Sequence, residues 1–157
     1  MVHPDRMDAA AALRASPLFQ GFTETGIAIL SSVCSQKVFP AGSLLFAEQM
    51  VSDSMFVIAV GKVMLSSKNA TGQDLPLGEL TTGDWLGELA LISTGQRMCT
   101  ATASTDVTAF EVRQGDFQRL MATKPQACIK LMMTICTAFA QKVSSNKEAL
   151  KSLLSRV

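Results

Sequence analysis

Residues 54 to 68, SMFVIAVGKVMLSSK, decide the fold class. A run of large and β-branched apolar residues extends to Val60, a second begins at Val63, and only Gly61-Lys62 stands between them. Glycine accepts positive φ without a steric penalty, so the stretch reads as two strands reversed at Gly61. The same texture spreads in both directions, from Gln36 to Arg113. KVF, SLLFAE, LPLGEL, MCTATAS and VTAFEVR are further short runs, punctuated by Pro40-Ala41-Gly42, Asn69-Ala70-Thr71-Gly72 and Thr82-Gly83-Asp84. Short strands with turn residues at roughly regular intervals predict a compact antiparallel roll or barrel.

Helical signals flank this region. Residues 5 to 15, DRMDAAAALRA, are alanine-rich and end at Ser16-Pro17, because the residue before a proline is pushed out of the α region. Thr23 followed by Glu24 marks a second helix start, expected to run from 23 to 33. Gln114 to Thr123 predicts a short helix closed by Lys124 before Pro125, and Pro125 suits the first turn of a helix that runs on to the C-terminus. The expected fold class is therefore mainly β with flanking helices (α+β). The chain is one domain overall, with N-terminal helices in 1–33, a roll in 34–113, and a hinge helix and long C-terminal helix in 114–157.

Composition excludes other classes. The chain has 157 residues, 48% hydrophobic and 17% charged, with a mean hydropathy of +0.27, so it is apolar enough to bury a core. The longest uncharged stretch, Thr25 to Gln36, is 12 residues, short of the roughly 20 a spanning helix needs. Asp5, Arg6 and Asp8 interrupt any N-terminal apolar segment, and a cytoplasmic location is expected. Cys34, Cys99, Cys128 and Cys136 form no paired motif and His3 is the only histidine, so neither a metal site nor a Ser-His-Asp triad is expected. No enzyme is expected.

Charge is uneven. Residues 124 to 157 hold Lys124, Lys130, Lys142, Lys147, Lys151 and Arg156 against Glu148 alone, a net +5 that leaves −4 on the rest. Such a tail is either a partner surface or a solvated helical face. Within it Ile129, Met132, Cys136, Phe139, Val143, Asn146, Leu150, Leu153 and Val157 step alternately by three and four. A helix of about 30 residues is ~45 Å long, more than one small roll covers. The distal half of this seam is expected to pair with a second copy, with Asn146 setting register, while the proximal half, with Leu131 and Ile135, covers the roll.

The chemistry concentrates in GDWLGELALISTGQR, residues 83 to 97. Gly87 permits close backbone approach, and Glu88-Leu89-Ala90-Leu91 forms one short helical turn whose free N–H groups attract an anion. Arg97 supplies a forked pair of donors suited to phosphate, and Glu88 an acceptor suited to a sugar hydroxyl. Together they outline a nucleotide site; a plain Glu88–Arg97 ion pair bracing a hairpin is the alternative.

GELALISTGQR resembles the phosphate-binding cassette of the cyclic-nucleotide-binding domain family, found in bacterial catabolite activator proteins and in regulatory subunits of cyclic-AMP-dependent protein kinase. The likeness covers residues 15 to 145, with Gly42, Asp53, Phe56 and Gly61 at matching places and FQRLMATKP resembling the helices that follow the roll. It implies a jelly-roll (double-stranded β-helix) with its cassette at 87–99. It also implies that Glu88 binds the ribose 2′-hydroxyl and Arg97 the cyclic phosphate of cyclic AMP or cyclic GMP. Gly87, Leu89 and Ala90 would line the phosphate, and Leu65 and Leu77 would pack on the ligand. Family members cap the base from the long helix, where Thr134, Thr137 or Lys142 are the candidates. Met98 and Cys99 stand where small residues, the first often hydroxylated, are usual, and Glu48-Gln49-Met50 where a Gly-Asp turn is common.

The function implied is a regulatory sensor that signals through its C-terminal helix to an output protein, as a homodimer through residues 126–157, with no cofactor beyond its nucleotide. The competing expectation is a module that keeps the roll but no longer binds nucleotide, Met98 filling the phosphate space. Only Val157 follows the long helix, so no helix-turn-helix and no direct DNA binding are expected.

Overall fold

The computed structural model describes residues 5–154, with all side chains among them except those at 150 and 152–154. His3, Leu150, Leu153 and Val157, which entered the reading above, fall outside the described side chains. Helices α1 (Ala9–Ala15) and α2 (Glu24–Ser31) precede eight strands. These are β1 (Cys34–Phe39), β2 (Leu44–Phe46), β3 (Ser54–Val60), β4 (Val63–Lys68), β5 (Asp74–Leu80), β6 (Trp85–Leu86), β7 (Thr100–Ala103) and β8 (Val107–Arg113). Helices α3 (Gln114–Thr123), α4 (Pro125–Ser145) and α5 (Lys147–Leu154) follow.

The strands form two four-stranded antiparallel sheets, ordered β1-β8-β3-β6 and β2-β7-β4-β5. This is a jelly-roll flanked by helices. The unbroken apolar run in β3 has a direct cause. Phe56 and Ile58 point between the sheets, joining Phe46, Val63, Leu86, Ala101 and Val107, while Met55 and Val57 point outward beneath the helices. A strand buried on both faces has no polar alternation to show. The outward core gathers Leu13, Leu18, Ile27 and Leu30 from the N-terminal side with Phe117, Cys128, Leu131 and Ile135 from the C-terminal side. Both ends of the chain therefore share one hydrophobic cluster on one sheet face.

Local signals fix the element ends. The Asp8 carboxylate accepts from the Ala10 N–H at 3.0 Å and starts α1 later than residue 5, and the Thr23 hydroxyl accepts from the Gly26 N–H at 3.0 Å. Pro76 lies in β5, an edge strand, where the missing N–H costs no ladder bond. The pairing of β5 with β4 jumps from Leu65–Gly78 to Ser66–Pro76, leaving Leu77 as the extra residue of a bulge.

Two expectations need correction. The strand expected at Met98 to Ala103 begins only at Thr100, because Arg97 is held by a neighbouring loop rather than by the sheet. The C-terminal helix is not continuous: α4 ends at Ser145, and Asn146 adopts φ −110°, ψ 28°. The Asn146 side-chain amide donates to the Lys142 carbonyl oxygen at 2.8 Å, so it caps the turn before it instead of sitting mid-helix. Along α4 the buried face is Cys128, Leu131 and Ile135, whereas Ile129, Met133 and Phe139 are about half exposed or more.

Gly61 turns the β3–β4 hairpin at φ 107°. A Cβ there would collide with the Asp106 carbonyl oxygen and lie 2.9 Å from the Val107 side chain. Gly61→Ala should therefore lose about 2 kcal/mol of stability in urea unfolding. An unchanged midpoint would show that the hairpin relaxes freely.

Candidate functional site

The loop at 47–52 clamps the backbone of Arg97 and of the segment that carries it. The Gln49 N–H donates to the Arg97 carbonyl oxygen at 2.8 Å, the Arg97 N–H donates to Met50 at 2.7 Å, and the Ser52 N–H donates to Gly95 at 2.9 Å. Gln49 holds φ 71°, a left-handed conformation that a side chain rarely adopts, at the position where the sequence lacks a glycine. Glu48 anchors the same loop, accepting from the Lys68 N–H at 3.0 Å and the Ser67 hydroxyl at 2.8 Å. Those two hydrogen bonds, the backbone one foremost, lower its pKa.

The Arg97 side chain is buried, with the residue 6% exposed. Its Nη2 donates to Ser54 Oγ at 3.1 Å and lies 4.0 Å from Asp53 Oδ1, while the guanidinium carbon sits 4.1 Å from the centre of the Phe46 ring. Its Nε and Nη1 are buried with no hydrogen-bond partner among the described residues. Burial lowers the Arg97 pKa, opposed by Asp53 and then Glu111, yet a guanidinium remains charged under any folding condition. A buried cation with unpaired donors destabilises the fold until an acceptor arrives. Gly87 makes room for it: at φ 75° it caps the 3-10 turn Glu88–Leu91, and a Cβ would collide with Arg97 Nη1 and come 2.9 Å from the Ser54 carbonyl oxygen.

Arg97 borders a cavity of about 380 Å³. Gly87, Glu88, Leu89, Met98, Cys99 and Leu65 join it there, so most of the residues singled out in the sequence meet at one place. Ala90 and Leu77 do not. Ala90 is buried below the turn and gives its N–H to the Gly87 carbonyl oxygen at 3.1 Å. Leu77, the bulge residue, is 59% exposed; the bulge reverses the alternation, and Leu80 lines the cavity in its stead. Met98 is 81% exposed at the rim, too far out to fill the space beside Arg97. The Cys99 thiol has its pKa raised, chiefly by burial and next by Glu48.

Glu88 does not pair with Arg97. Its Oε1 lies 3.7 Å from Lys142 Nζ, with the Glu88 side chain only 15% exposed. Lys142 comes from the last turn of α4 and lines the cavity, whereas Thr134 and Thr137 face a separate groove and return their hydroxyl protons to the carbonyl oxygens of Lys130 and Met133. Residues the sequence reading missed are Phe46, Ser54, Leu80 and Trp85. Strand parity could have found Phe46; Ser54 carries no signal of its own, because only folding brings it beneath the Arg97 loop.

A jelly-roll that brings a buried arginine and a carboxylate to one cavity, under a glycine-led turn, holds a candidate site for a small anion. The chain belongs to the cyclic nucleotide-binding domain family, whose description matches residues 36–124. It is 26% identical over 113 residues to the cyclic AMP receptor protein of Thermus thermophilus, covering 72% of this chain and 52% of that one. It is 32% identical over 112 residues to a cyclic nucleotide-gated potassium channel of Rhizobium etli, covering 71% of this chain and 30% of the channel. The crystal structure of the N-terminal domain of a transcriptional regulator from Streptomyces coelicolor superposes with a TM-score of 0.75 at 27% identity, covering 83% of this chain and 94% of that one. The chain thus spans about half the length of the receptor protein and less than a third of the channel. No helix among the described residues is long and apolar enough to cross a membrane.

The thiols offer a direct check of this packing. Burial pushes Cys34 up to about 12, and the raised pKa values of Cys99 and Cys128 share that cause, while Cys136 is exposed. Iodoacetamide at pH 8 should alkylate Cys136 first, Cys34 more slowly, and the wholly buried Cys128 only after unfolding, as followed by peptide mass spectrometry. Equal labelling rates for Cys34 and Cys136 would contradict the burial described.

Proposed function

We propose that the chain is a non-enzymatic sensor module that binds cyclic AMP or cyclic GMP in the cavity at Arg97 and Glu88. The observation that carries this reading is the buried Arg97 guanidinium, whose Nε and Nη1 lack partners beside an open cavity. A cyclic phosphate brings one negative charge and two free oxygens, a counter-charge and acceptors for this guanidinium. Glu88 accepts the ribose 2′-hydroxyl proton in a hydrogen bond, and Phe46, Leu65 and Leu80 give the sugar and base an apolar wall. The family membership and the two relatives described by cyclic nucleotides support the same assignment.

Signal leaves the site through packing. Leu91 of the 3-10 turn belongs to the same buried cluster as Phe117, Leu131 and Ile135, so a shift of the turn on phosphate binding displaces α3 and α4 about the hinge before Pro125. The exposed Ile129, Met133 and Phe139 on α4 support a homodimer through residues 126–157, and an output protein outside this chain receives the movement.

A saturating nucleotide at about 100 times its dissociation constant stabilises the folded state by ~2.7 kcal/mol, enough to raise Tm by several degrees. Arg97→Ala should abolish the rise and Glu88→Gln should reduce it. Indifference of the wild type to millimolar cyclic AMP and cyclic GMP alike would overturn the assignment. Sedimentation velocity should show a dimer that Phe139→Asp converts to monomer; a monomeric wild type would remove the dimer.

A further inference from the structure

The loop that clamps Arg97 is itself closed by a thioether. The Met50 N–H donates to the Ala47 carbonyl oxygen at 3.2 Å, and the Ala47 N–H donates to Met50 Sδ at 3.4 Å, so residues 47 to 50 form a turn tied from both sides. At its third position Gln49 holds φ 71°, where glycine or asparagine is usual. Met50 passes the constraint on, because its carbonyl oxygen accepts the Arg97 N–H at 2.7 Å. Sulfur is a weak acceptor, so a strained turn that fixes Arg97 depends on a weak contact.

That contact lies open to oxidants. Among the described residues three methionines are exposed, Met50 at 55%, Met98 at 81% and Met133 at 65%; the first two flank Arg97, whereas Met55 is fully buried. A hydroperoxide converts an accessible thioether to a sulfoxide. The sulfur attacks one peroxide oxygen, and an S–O bond forms as the O–O bond breaks. The sulfur gives up two electrons, and the peroxide proton passes to the departing oxygen, which leaves as water or an alcohol. A sulfoxide accepts through its oxygen, one bond further out, so the Ala47 N–H cannot keep its partner with the turn unchanged. Met98 is oxidised as readily, but among the described residues its side chain has no hydrogen bond to lose. We propose that Met50 is an oxidation site at which a hydroperoxide opens the 47–50 turn, loosens Arg97 and weakens anion binding in the cavity; the identity of the anion rests on the nucleotide reading above, the loosening of the loop does not. Reduction of the sulfoxide restores the thioether, so the change is reversible.

The test treats the full chain with hydrogen peroxide, follows methionine oxidation by peptide mass spectrometry, and compares wild type, Met50→Leu and Met98→Leu before and after. Met50 and Met98 should gain oxygen well before Met55. Hydrogen exchange in peptides 44–52 and 93–99, read without nucleotide, should quicken about fivefold in oxidised wild type and oxidised Met98→Leu, and should not respond to peroxide in Met50→Leu. Isothermal titration with cyclic AMP and cyclic GMP should follow the same pattern, with an affinity about fivefold lower after oxidation and recovered on treatment with methionine sulfoxide reductase. Oxidation of Met50 no faster than Met55 would overturn the proposal, as would unchanged exchange or unchanged affinity once Met50 carries oxygen. An affinity loss that persists in Met50→Leu would also overturn it and assign the effect to Met98. If reduced wild type binds neither nucleotide, the sensor reading falls and the affinity effect with it, while the exchange measurement still decides whether Met50 governs the loop.

Discussion

Strand β3 is buried on both faces, and the rest of the structure hangs on that constraint. Its odd-numbered apolar residues, Met55 and Val57, complete the core under the helices, and the even-numbered Phe56 and Ile58 complete the core between the sheets. Its first residue, Ser54, holds Arg97 through a buried hydrogen bond. A one-residue slip of β3 would exchange the two cores and withdraw Ser54 from the guanidinium together. Fold and site are thus one register choice, which explains why the cavity needs no dedicated scaffold of its own.

Around that strand the site holds several unfavourable features in place. A charged guanidinium is buried with two donors unmatched, Gln49 is left-handed without being glycine, and Glu88 faces Lys142 instead of a buried counter-charge. Each is tolerated because backbone hydrogen bonds from the 47–52 loop fix Arg97 from outside and Phe46 supports it from within. An anion that matches the free donors would convert this cost into binding energy. Leu91 connects the cassette turn to the hydrophobic core that α3 and α4 share with the N-terminal helices.

Much of the fold was legible because its signals are local. Gly61 announced a reversal through a conformational freedom no other residue has, and Pro125 announced a helix start through its fixed φ. The two-residue β6 was not legible, since Trp85-Leu86 is too short to show a period and becomes a strand only by pairing with Phe56 and Val57. The seam on the C-terminal helix was legible as a pattern, but its interruption was not. Asn146 fits the heptad by position, yet its side chain bonds to the carbonyl oxygen four residues back and ends the helix.

The sequence alone determined the cassette. Gly87, Glu88 and Arg97 carry their chemistry in residue type and lie within eleven positions of one another, so no distant element is needed to propose their union. Tertiary structure decided what completes it. The bulge at Leu77 substitutes Leu80, the β3 register supplies Ser54, and the docking of α4 delivers Lys142 to Glu88 across more than fifty residues. The reason is physical: a bulge reverses side-chain alternation without any fixed residue requirement, and long-range register is set by how two cores fill, a property of the packed whole rather than of any segment.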